Sequence, residues 1–150
     1  MSEPEQFPMK WHKFQMVIMI IGSVITMIGG ITYITGYAYT QQGFMAADVY
    51  QTFPGLKACD VIYGIATIAL GVFQLYVRNQ LNQFRTNAPR LLTILYIAAI
   101  AIQLIYMAAA SAATGVNLFT ASTLGSVGGT VLFLFINSVY YSRRRELFTR

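Results

Sequence analysis

The stretch FQMVIMIIGSVITMIGGITYITGY, residues 14–37, contains no charged side chain. An α-helix rises about 1.5 Å per residue, so about 24 residues reach slightly past the roughly 30 Å of bilayer hydrocarbon, and such a segment tilts or projects a turn. It is too long for the apolar core of a signal peptide and no A-x-A cleavage site follows it, so it is expected to remain as a span. Three more segments meet the length requirement, at about 58–77, 91–112 and 121–141. Backbone in lipid must satisfy its own hydrogen bonds, and these runs are about twice the length of a barrel strand and lack its alternation. The predicted fold is all-α, an integral membrane four-helix bundle forming one domain over residues 1–150.

Composition points the same way. Apolar residues make up 56% of the chain and charged residues 10%, against about 25% charged in soluble domains. The spans leave no room for a second soluble domain of roughly 100 residues. Cys59 is the single cysteine, which excludes an internal disulfide and any CxxC metal or redox site.

Orientation follows from the basic residues of the short flanking segments. Lys10 and Lys13 precede the first span, Arg78, Arg85 and Arg90 lie between the second and third, and Arg143, Arg144, Arg145 and Arg150 follow the fourth. Lys57 alone among the ten lies on the other side. Both termini are therefore expected in the cytoplasm, N-in and C-in, with the segments after the first and third spans outside. The net charge of +5 is a topology signal that also favours anionic lipids at the cytoplasmic face of the bilayer. Nucleic acid is excluded as a partner, since no domain offers a basic groove. Trp11, Tyr33, Tyr37, Tyr39, Tyr140 and Tyr141 read as interfacial belt residues, and His12 as a boundary residue rather than a metal ligand.

Small residues indicate how the spans meet, because helices in lipid associate by close packing. The fourth span holds Gly125 and Gly129 four apart, with Ser122 and Ser126 in a parallel row, and the first holds Gly22, Thr26 and Gly30 at the same spacing. Such faces serve packing inside the chain or contact between copies, and their number predicts a symmetric homo-oligomer. The Ala-rich third span is the expected central helix. A weak internal similarity also exists, each half beginning with a basic residue and closing its first span on Thr-Gly, at Thr35-Gly36 and Thr114-Gly115.

Polar groups within the spans are few: Gln103 in the third, Gln74 and Asn137 at similar depth in the second and fourth, and Asp60 near the start of the second. Gln74 and Asn137 could face each other. In PGLKACDVIYG, residues 54–64, Pro54 and Gly55 read as the turn that starts the second span. Asp60 then falls within a helical turn of Lys57, close enough to form an interfacial pair, and near the positive end of the helix dipole. The alternative has Asp60 facing a water-filled cavity with Tyr63 and Gln103 nearby, as intramembrane carboxylates often do. No serine-histidine pair, paired carboxylates or metal cluster can be assembled, so no catalytic residue, metal or cofactor is expected.

The segments WHKF (11–14), VYQTFPGLKACDVIYGIATIAL (49–70), YVRNQLNQFRTNAPRLL (76–92) and INSVYYSRRRELF (136–148) together resemble an uncharacterised family of small four-span membrane proteins of gut Firmicutes. The resemblance implies the fold, the topology and a bacterial plasma membrane, and implies no activity. Some members of that family carry an added segment such as a zinc ribbon, for which this chain lacks the cysteines. Two function classes are left: an oligomeric channel or small transporter, or an accessory membrane protein that binds another membrane protein.

Overall fold

The computed structural model describes residues 9–150. The chain forms α1 (Lys10–Thr35), α2 (Tyr37–Thr40), α3 (Ala46–Thr52), α4 (Pro54–Asn82), α5 (Ala88–Thr114) and α6 (Ala121–Ser142), then a 3-10 turn at Arg145–Leu147. Helices α1, α4, α5 and α6 are each long and apolar enough to cross a membrane. Each extends to or beyond the predicted polar boundary at one or both ends, because the flanking polar residues continue the helix until a capping residue stops it. Pro54 occupies the first turn of α4 and Pro89 that of α5, where the missing N–H has no helical partner to lose. A reciprocal capping box between Thr120 and Thr123 starts α6.

The two Thr-Gly pairs form the same local structure. Gly36 (φ +75°) and Gly115 (φ +68°) end α1 and α5 in the left-handed region that glycine enters without strain. Thr35 Oγ1 donates to the carbonyl of Ile31 and accepts from the Tyr37 amide, and Thr114 repeats this with Ala110 and Val116. The internal similarity is thus a repeated helix stop.

The long helices run alternately up and down. Gly30 meets Gly64 and Met16 meets Arg78, which makes α1 and α4 antiparallel. Gly55 beside Ala113, and Asp60 bonded to Tyr106, set α5 antiparallel to α4, and Tyr96 with Asn137 begins the register of α6 on α5. The closest seam is α1 against α4. A Cβ on Gly30 would lie 2.6 Å from the Gly64 carbonyl oxygen, and one on Gly64 would lie 2.6 Å from that of Gly30. One Cβ on Gly71 would come within 3.1 Å of the Ser23 carbonyl. Helix α4 packs along α1 on one side and α5 on the other, so the second span, not the Ala-rich third, is the hub.

The bundle buries polar side chains beside its apolar core and turns many large apolar ones outward. Gln15, Ser23 and Asp60 have no exposed surface, while Val17, Ile25, Ile28 and Ile65 face outward. Outward isoleucine is unfavourable in water and neutral in lipid, whereas a lipid-facing carboxylate is costly, so polar side chains turn inward.

Candidate functional site

Asp60 sits one and a half turns into α4 and is fully buried. Its partners come from three other elements. Tyr39 of α2 donates to Oδ2 at 2.6 Å, Tyr50 of α3 donates to the same oxygen at 2.9 Å, and Tyr106 of α5 donates to Oδ1 at 2.7 Å. Hydrogen bonds to a charged acceptor contribute about 1.5–3 kcal/mol each, and three of them offset much of the burial penalty of one carboxylate. The geometry depends on Gly36, whose turn sends the chain back over the bundle end. A side chain there would meet Ala46 at 2.6 Å. Helices α2 and α3 thereby form a cap pinned to Asp60 through two phenols.

A second tier of rings supports the first. Tyr63 stacks on Tyr106 with centroids 4.1 Å apart, and Tyr33 meets both edge-on at 4.8 and 5.5 Å. Tyr39 and Tyr50 pack edge-to-face at 5.6 Å. Burial, and next the bond to Asp60, hold the hydroxyls of Tyr39 and Tyr50 well above the ordinary phenol range. Both therefore stay protonated donors at physiological pH.

Beside the cluster, a cavity of about 880 Å³ opens between the cap and the α5–α6 connection. Tyr33, Tyr39, Tyr106, Phe44 and Phe53 supply aromatic surface to it, and Asp48 a second carboxylate. Its size lies in the range of roughly 300–1,000 Å³ common for small-molecule sites. Asp60 stands behind Tyr39 and Tyr106 rather than on the wall.

The predicted Lys57–Asp60 pair does not form. Lys57 is exposed and has no ion-pair partner among the described residues, while Asp60 turns from the surface toward hydroxyl donors that desolvate less expensively than an ammonium. Tyr63 reaches Asp60 only through its stack on Tyr106. Gln103 is half-buried and makes no side-chain hydrogen bond among the described residues. Gln74 and Asn137 do not face each other. The Gln74 amide lies against Gly22 on α1, at 2.9 Å from where a Cβ would be. Asn137 accepts from Trp11 Nε1 at 3.0 Å and donates to the Phe133 carbonyl at 2.9 Å. Trp11 is thus a helix-to-helix tie as well as a boundary residue. Likewise His12 is buried, with Nδ1 3.0 Å from the Tyr141 hydroxyl and its ring stacked on Phe84.

Of the small-residue faces, Gly30 is consumed by the seam with α4 and Gly22 by Gln74. Gly125 and Gly129 have nothing within 4 Å of where a Cβ would stand, and Ser122 and Ser126 beside them are exposed. Reading the sequence alone missed Tyr39, Tyr50 and Tyr106 as ligands of Asp60. The available signal was a carboxylate near a span with no basic partner buried beside it, which requires donors from elsewhere. Comparisons with known protein families, curated proteins and solved structures find no match to this chain.

Proposed function

We propose that this protein is a small, non-enzymatic transport protein of a bacterial plasma membrane, and that the species it handles is an organic cation drawn to Asp60. The observation that carries this reading is a fully buried carboxylate answered only by phenol hydroxyls, next to an aromatic cavity. Ionisable groups inside a membrane domain mark transport pathways more often than they serve packing. Aromatic faces with carboxylates suit an amine or quaternary ammonium carrying apolar groups. A small hydrated metal ion would find a single carboxylate, Asp48, among the residues lining these walls. Both termini are cytoplasmic in this reading, supported by the nine basic residues at the end of the bundle away from Asp60. The working unit is a homo-oligomer joined through the Gly125 and Gly129 face of α6, supported by the absence of any neighbour against those glycines.

The test is equilibrium binding of tetraphenylphosphonium to the purified protein in mild detergent. Saturable binding is expected for the wild type, and its loss in Asp60→Asn with helicity unchanged. Absence of saturable binding by the wild type, or undiminished binding by Asp60→Asn, rejects the cation site. The open α6 face would then favour the accessory reading, in which it docks another membrane protein.

A further inference from the structure

A second cavity lies at the opposite end of the bundle, between the start of α5 and the end of α6, and its chemistry is reversed. We propose that it holds the phosphate headgroup of an anionic lipid, with Arg90 and Arg145 as the ligands of the phosphate. The cavity measures about 530 Å³. Arg90 lies in the first turn of α5 and Arg145 begins the 3-10 turn after α6, so two distant parts of the chain each bring one guanidinium to the same wall. Neither guanidinium has a hydrogen-bond or ion-pair partner among the described residues. The side chains of Asn87 and Ser138, on the same wall, have none either. No acidic residue is among those lining the cavity, although Glu146 is the next residue after Arg145.

Two planar forks facing one space match the oxygens of a phosphate, which accepts paired N–H donors from each. An apolar part of the wall, including the half-buried Pro89 and Leu134, selects between sources of that phosphate. A free inorganic anion gains nothing from an apolar wall, whereas a lipid sets its headgroup against the arginines and its glycerol and first methylenes against Pro89 and Leu134. Basic pockets between membrane helices at the cytoplasmic side bind anionic headgroups for this reason. General attraction of nine basic residues to a charged surface needs no cavity, whereas this cavity is a single site with defined ligands.

Native mass spectrometry of the protein in mild detergent, with phosphatidylglycerol or phosphatidylcholine added at equal concentration, tests it. The wild type is expected to retain one phosphatidylglycerol per chain and to hold phosphatidylcholine roughly tenfold more weakly, since a charge-assisted contact supports that ratio. Arg90→Gln with Arg145→Gln should abolish the preference. Arg85→Gln with Arg143→Gln removes the same charge from the same end without touching the cavity and should keep it. Both pairs are exposed, so helicity is expected to match wild type, and Arg90→Ala alone should weaken retention several-fold. Equal retention of the two lipids by the wild type, or equal loss in both double variants, overturns the site. Displacement of bound phosphatidylglycerol by millimolar inorganic phosphate overturns the lipid as its source.

Discussion

The two oxygens of Asp60 are not equally served. Oδ1 takes its hydroxyl from Tyr106 alone, whereas Oδ2 takes two, from Tyr39 and Tyr50. Tyr106→Phe therefore strips one oxygen of its phenol, and Tyr39→Phe leaves its oxygen partnered. Unfolding in mild detergent should show Tyr106→Phe less stable by about 1–3 kcal/mol, and Tyr39→Phe by less. Tyr63→Phe keeps the ring that stacks on Tyr106 and should stay within about 0.5 kcal/mol of wild type. Equal losses from all three would mean that the rings, not the hydroxyls, hold the cluster. At this scale the sequence was only half legible. Asp60 stood out by being charged at the edge of an apolar run, but its donors lie 21, 10 and 46 residues away. Nothing local distinguishes a tyrosine that reaches inward from one that sits at a lipid boundary.

Among the elements, the four long apolar helices were legible, since apolar length is a local property, whereas their ends were less so: α4 runs to Asn82, past the expected bound at Val77. Partner choice was not legible. The expected signature was two small residues four apart, yet the α1–α4 seam uses Gly64 and Gly71, seven apart, against Gly30 and Ser23, also seven apart. Seven residues bring a helix back to nearly the same face after two turns, so both spacings are compatible with a close approach. Only the register between two helices decides which glycines meet. Gly64→Val would push a branched side chain into the backbone of α1 and should cost about 1–3 kcal/mol or more by overpacking, read from the thermal midpoint in detergent. A Cβ at Gly129 would have open space for 4 Å around it, so Gly129→Ile should lower that midpoint less than Gly64→Val while shifting the solubilised mass toward monomer. A wild type that is already monomeric at all workable concentrations removes the homo-oligomer.

For the whole molecule, the charge asymmetry predicts which end faces the cell exterior. In a Cys59-free background, cysteines replacing Ala47 or Asn117 should react with an impermeant thiol reagent on intact cells, and one replacing Asn82 should not. All three positions are exposed, so protection would report the membrane and not burial. The opposite labelling pattern inverts the topology. Two short helices, α2 and α3, fill the connection between the first two spans; each is too brief to show periodicity in the sequence, and both are organised by the carboxylate below them. That arrangement makes Asp60 a contested resource. A bound amine that donates to Oδ2 would need the lone pairs that hold Tyr39 and Tyr50, and with them the cap. Ligand and latch then compete for one oxygen, so apparent affinity falls by the fraction of time the latch is closed. Weakening the latch, as in Tyr50→Phe, would tighten equilibrium binding and quicken exchange together, a pairing that an ordinary loss of contact does not produce.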